Sequence, residues 1–188
     1  MSSQTQKTHE TAMIAIGVAT LIGGGLAIYI VSSAFPLPGI KYVIMAPFIS
    51  TVLFVVQSKL KTPHVLLKFG LVFAMIMTLV NLFMGIAILV TTLATYISVA
   101  WIANLDRKHF WGSVLYSTFT GLFALWVSKL MIGGIFEAIT PMWILAVGIL
   151  STIFGWAGTT LAKRIFHRLT DFEVEDKIHN KQKGANHE

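Results

Sequence analysis

The chain has no cysteine, which excludes disulfides, thiolate metal ligands and cysteine nucleophiles. Charge is scarce too: Asp, Glu, Lys and Arg make up 12% of the 188 residues, and only 8 are acidic. None of those acids falls inside a long apolar run, so the buried carboxylate that a proton or sodium relay ordinarily uses is missing. There is no HExxH, no G-x-x-x-x-G-K-[ST] and no GxSxG, and no two carboxylates share an apolar segment. Gly112-Ser113 finds no histidine at matching depth in a neighbouring run. His64, His109 and His167 lie at the ends of apolar runs, where interfacial solvation accounts for them better than metal binding. The sequence therefore points away from an enzyme, a metal site or a bound cofactor, and any ATP hydrolysis would belong to another chain.

What is present is hydrocarbon. Apolar residues make up 55% of the sequence, and the mean hydropathy is +0.76. A soluble domain of that composition would expose a continuous greasy surface, so the chain reads as an all-α integral membrane protein in contact with the lipid bilayer. The net charge of +6 lies in short loops and a tail. There, topology and anionic lipid explain it without nucleic acid. The organising stretch is Thr11 to Ser33, TAMIAIGVATLIGGGLAIYIVSS, free of charge and long enough to cross about 30 Å of hydrocarbon. It exceeds the apolar core of about 7–15 residues of a cleaved signal, and comparable runs follow it. Small residues recur four apart at Ala15, Ala19, Gly23 and Ala27, giving one side of this helix a low ridge that another helix can approach closely. The ridge either packs inside the protein's own bundle or, at Ala15 and Ala19, receives a separate membrane subunit.

Residues 1–10 read as a disordered or interfacial N-terminal arm in the cytoplasm, residues 11–168 as a single transmembrane domain, and residues 169–188 as a charged cytoplasmic tail. Pro36, Pro38 and Gly39 force an ordered turn after the first helix. Further helices are expected at about 40–58, kinked by Pro47, then at 65–79, 85–103, 110–132 and 142–165. The third and fourth runs are continuous in hydropathy. A helix of their joint length would overshoot the bilayer, so a tight reversal is expected between Asn81 and Gly85, with a re-entrant or strongly tilted segment as the alternative. Six spans with both ends inside place Lys7, Lys59, Lys61, Lys68, Arg107, Lys108, Lys163, Arg164, Arg168 and the tail lysines in the cytoplasm. Only Lys41 and Lys129 are left toward the outside, in keeping with the positive-inside rule.

The outer half carries the polar and aromatic candidates for a solute site: Lys41, Asn81, Trp126, Lys129, Glu137 and Trp143. Leu122, Trp126, Lys129 and Gly133 share a helix face. Lys129 with Glu137 suggests a lid or a clamp on a charged solute in a pocket lined by Trp and Phe. The competing reading has Lys129 snorkelling and the tryptophans in the interfacial belt.

Size, six helices, the outer turn Pro36 to Gly39, the A-x-x-x-A of Ala15 and Ala19, and the ending Gly155-Trp-Ala-Gly158 to Lys163-Arg164 together resemble the substrate-binding S components of energy-coupling factor (ECF) vitamin transporters. The resemblance covers roughly Met13 to Arg168. It implies a bundle of the S-component kind in the bacterial cytoplasmic membrane that captures a vitamin or related small organic micronutrient. It also implies a transmembrane coupling subunit and two ATPase subunits as partners, with Ala15 and Ala19 at the docking face. A self-sufficient secondary carrier, and a structural or assembly protein of the membrane, are the alternatives; the first ordinarily shows an inverted repeat, and none is visible.

Overall fold

The computed structural model describes residues 3–32, 34–35, 37–131 and 134–185. Pro36 of the outer turn and Gly133 of the fifth run lie outside them. The described residues form six α-helices and a short 3-10 turn, with no strand: α1 (Ser3–Ser32), α2 (Ile40–Leu60), α3 (Val65–Val80), α4 (Leu82–Ser98), α5 (Leu105–Met131), the 3-10 turn Gly134–Phe136, and α6 (Pro141–Ala185). By length and composition, four stretches are apolar enough to cross a membrane: Gln4–Ser32, Ile40–Leu60, Leu105–Met131 and Pro141–Phe166. α3 and α4 are shorter, at 16 and 17 residues. At 1.5 Å per residue they reach about 24 and 25 Å.

α2 is the central helix, packed on α1, α3, α5 and α6, while α4 leans on α3 and α5. Two apolar cores follow. The larger joins Ile14, Val18 and Leu21 of α1 to Ile49, Leu53 and Val56 of α2, Val65, Leu66 and Phe69 of α3, and Tyr116 of α5. The smaller, between α2, α5 and α6, is made by Val43, Leu125, Ile139 and Val147. Because lipid offers no hydrophobic drive between helices, close approach depends on small residues. A Cβ on Gly70 would strike Thr92, and one on Gly85 would strike Thr78, so these two glycines draw α3 and α4 together. Gly121, Gly148 and Gly155 do the same for α5 and α6, against Ser151, Leu122 and Ser117. Gly158 lies on the backbone of Pro47 in α2, whose Thr51 hydroxyl donates to the Gly158 carbonyl at 3.1 Å. Pro47 thus marks the α2–α6 crossing.

Several expectations are refined. The reversal after α3 takes a single extended residue, Asn81 (φ −156°, ψ 123°), whose side chain caps α4 by accepting from the N–H groups of Phe83 and Met84. α4 therefore starts three residues earlier than Gly85. α5 begins at Leu105 instead of Phe110, because the Asn104 side chain accepts from the Arg107 N–H at 3.1 Å and starts the helix inside the charged segment. The arm expected to be disordered or interfacial is helical from Ser3, continuous with the span. Glu10 in it meets Lys68 of α3 at 2.7 Å. At the other end α6 runs past Ile165, through the charged tail, to Ala185.

Candidate functional site

Three groups of side chains carry chemistry: one around the turn between α1 and α2, one in the interior, and one along the exposed face of α1. In the turn between α1 and α2, Gly39 adopts a left-handed conformation (φ 92°) that a residue with a side chain rarely takes, and it packs over Leu125 and Val147. This turn brings the start of α2 under the end of α1. The Lys41 ammonium then lies 4.9 Å from the centre of the Tyr29 ring and 5.3 Å from that of Tyr42. Trp143 donates its indole N–H to the Pro38 carbonyl at 2.8 Å, fastening the turn to the start of α6. Lys129 donates to the Ile139 carbonyl and holds the α5–α6 connection.

Of the six expected solute-site residues, Lys41, Lys129 and Trp143 therefore gather around this turn, each already engaged by the protein's own groups. Glu137 is exposed in the connection, and its carboxylate is not paired with Lys129. Trp126 is 54% exposed on the outside of α5, and Asn81 is spent on capping α4. Beneath the turn, the space between α2, α5 and α6 is filled by Val43, Leu125, Ile139 and Val147. Tyr29 and Tyr42 escaped the sequence reading, and Pro38 entered it only as part of the turn. The signal for the tyrosines was their position either side of a proline turn facing Lys41.

Two substitutions probe the fastening. Trp143→Phe and Lys129→Met each remove one hydrogen bond while keeping most of the apolar bulk. Each is expected to cost about 1 kcal/mol, more for the charged donor, read as a small downward shift in thermal unfolding with Lys129→Met the larger. A shift for Trp126→Ala as large as for Lys129→Met would contradict this placement.

The interior group was not anticipated. His109, read from sequence as an interfacial residue, is only 3% exposed, so solvation at the rim does not explain it. α5 begins one turn before it, and its ring meets the backbone of Thr62 in the α2–α3 connection. Ser113, one turn on, donates to the His109 carbonyl and accepts from the buried Gln57 amide of α2 at 3.1 Å. Farther along the same face, Ser117 approaches Ser151 of α6, and Thr118 pairs with Thr152 at 2.9 Å. The polar seam thus follows α5 at four-residue spacing, a period visible in the sequence as His109, Ser113, Ser117 and Gly121. Its bonds tie α2, α5 and α6 together. Among the described residues, no group of three or more His, Asp or Glu side chains is placed to hold a metal ion.

The basic ends of the helices are joined to one another. His64 pairs with the Tyr96 hydroxyl at 2.9 Å, Lys108 lies 5.9 Å from the Tyr96 ring centre, Lys59 lies 5.3 Å from that of Phe166, and Lys68 holds Glu10. On α1, Ile14, Val18 and Leu21 are buried. Ala15, Ala19, Gly23 and Ala27 are all exposed. A Cβ on Gly23 would meet nothing within 4 Å. The low ridge thus faces away from the bundle, and the chain's own helices leave it uncovered.

Comparison with protein-family models, with curated proteins and with solved structures finds no match for this chain.

Proposed function

We propose that the chain crosses the bacterial cytoplasmic membrane six times, with both termini in the cytoplasm, and serves as the substrate-capture subunit of an ATP-driven importer of the energy-coupling factor kind. The observation that carries this reading is the outward orientation of the small-residue ridge on α1. α1 packs on α2 and α3 only through its opposite side. A ridge of Ala15, Ala19, Gly23 and Ala27 presented to the membrane suits a second helix better than it suits lipid, since it permits backbone-to-backbone packing. The partner in this reading is a transmembrane coupling subunit that works with two ATPase subunits. The cargo is a vitamin or related small organic micronutrient, entering at the outer end near Lys41 and Trp143. Solute entry there requires the turn at Pro38 and Gly39 to lift from Trp143 and Leu125.

Six crossings ask α3 and α4 to span with helices shorter than the hydrocarbon is thick. Local thinning and the residues flanking each helix supply the difference at modest cost. The filled outer core favours one rival, a structural or assembly protein of the membrane that captures no solute.

Two experiments test the proposal. Since the chain has no cysteine, single cysteines at Leu37 and Asn104 report sidedness directly. An impermeant reagent added outside intact cells is expected to label Leu37→Cys and to spare Asn104→Cys; labelling of both contradicts the topology. Purification of the chain from its native membrane is expected to bring a coupling subunit and ATPases with it. Recovery of a folded chain alone favours the structural rival.

A further inference from the structure

At the basic end of the bundle a cleft of about 300 Å³ opens between the first turns of α1 and the end of α2. Its walls include Lys7, His9 and Glu10 from α1, with Lys59 and Thr62 from α2 and the connection that follows. Among the described residues the lining has one carboxylate, that of Glu10, and Lys68 neutralises it at 2.7 Å. Lys7 and Lys59 are exposed, and among the described residues neither forms an ion pair. Among the described residues the cleft thus presents two ammonium groups without a carboxylate partner, that of Lys59 lying 5.3 Å from the Phe166 ring centre, and an imidazole, around a space at the small end of the range for ligand pockets.

Depth decides what such a space meets. Lys7 lies nine residues before Ile16 on a continuous helix, and Ile16 is 61% exposed on the apolar part of α1. At 1.5 Å per residue the separation along the axis is about 13 Å, so the cleft sits beside the start of the hydrocarbon, at headgroup level.

We propose that this cleft binds the phosphate of an anionic phospholipid, with Lys7 and Lys59 as its cationic walls. The volume accommodates a phosphate and its small polar substituent. The acyl chains would run outward along α1 past the exposed Ile16, beside the small-residue ridge and not over it. Basic pockets between helices at a cytoplasmic surface suit anionic headgroups, each Lys contributing about five-fold in affinity. Only the assignment to the inner leaflet rests on the topology proposed above; the cleft and its charge stand without it, and so does the test, which involves no partner subunit and no solute.

The test uses the purified full chain, stripped of lipid in detergent and titrated with phosphatidylglycerol, phosphatidylcholine, glycerol 1-phosphate or inorganic phosphate, with binding read by native mass spectrometry and thermal shift. Phosphatidylglycerol is expected to bind and stabilise, and phosphatidylcholine to do neither. The double variant Lys7→Gln/Lys59→Gln is expected to weaken phosphatidylglycerol binding about 25-fold. The control Lys163→Gln/Arg164→Gln, basic residues outside the cleft, is expected to leave it unchanged. Glu10→Gln removes the one acid and frees Lys68, and should tighten binding, which keeps the proposal testable if the double variant folds poorly. Equal losses in the double variant and the control would show diffuse attraction to the basic rim and overturn the proposal. Stabilisation by inorganic phosphate or glycerol 1-phosphate equal to that by the lipid would also overturn it, by assigning the cleft to a soluble phosphate.

Discussion

Gly158→Leu is expected to lower the unfolding temperature in detergent by about 6–12 °C, taking an overpacking cost of about 3 kcal/mol at about 2–4 °C per kcal/mol. Gly23→Leu should leave it unchanged. The contrast follows from what each new side chain meets. At Gly158 a Cβ would lie 2.6 Å from the Pro47 Cα and strike the Pro47 carbonyl oxygen, both backbone atoms at the crossing of α2 and α6. Backbone does not yield as a side-chain terminus does, and α2 is the helix on which α1, α3, α5 and α6 converge. Relief requires α6 to move away from α2, breaking the Thr51 bond to Gly158. At Gly23 the added side chain enters open space. Thermal unfolding followed by circular dichroism checks both. Similar temperatures for the two variants would show that the α2–α6 crossing is looser than described.

Ala15→Trp and Ala19→Trp are expected to reduce recovery of partner subunits to background while leaving the isolated chain as stable as the parent. Both alanines are exposed, so a bulky side chain overpacks nothing within this bundle. Against a second helix, the same side chain separates the backbones and forfeits van der Waals contact along the crossing, which is the main attraction available between helices in lipid. Thermal stability and partner recovery are read from one preparation. Loss of stability together with loss of partners would assign the ridge to the fold. Undiminished recovery would remove Ala15 and Ala19 from the docking face.

The periodicity of the sequence was sufficient for the number and order of the six helices and insufficient for the ends of α4, α5 and α6 and for the direction in which each helix faces. Apolar runs located α2 and α3 closely, and the excess length of the joint third and fourth runs required a reversal that the structure places at Asn81. The ridge on α1 was visible as a spacing of four. Because small residues serve equally well inside a bundle and between subunits, its direction became legible only once Ile14, Val18 and Leu21 were seen to occupy the buried side.

The outer residues show the opposite failure. Lys41, Lys129 and Trp143 were identified by type, but a lysine near a glutamate does not dictate a pair. Lys129 reaches the Ile139 carbonyl on the connection that also carries Glu137, which stays exposed. His109 was misread because the charged run Asp106-Arg107-Lys108 just before it suggested the rim, whereas the Asn104 cap starts α5 before it and the residue is buried. Helix caps and backbone carbonyl acceptors depend on where the chain bends, and hydropathy carries little of that information.

The central claim is that the exposed ridge of α1 meets another protein, and a photo-crosslinking amino acid placed at Ala19 in the native membrane measures this most directly. The expected product is a covalent adduct with a single membrane-embedded polypeptide, isolated together with ATPase subunits, and no such adduct when the same group replaces the buried Ile14. Adducts at Ala19 with lipid alone, or with a second copy of this chain, would contradict the claim.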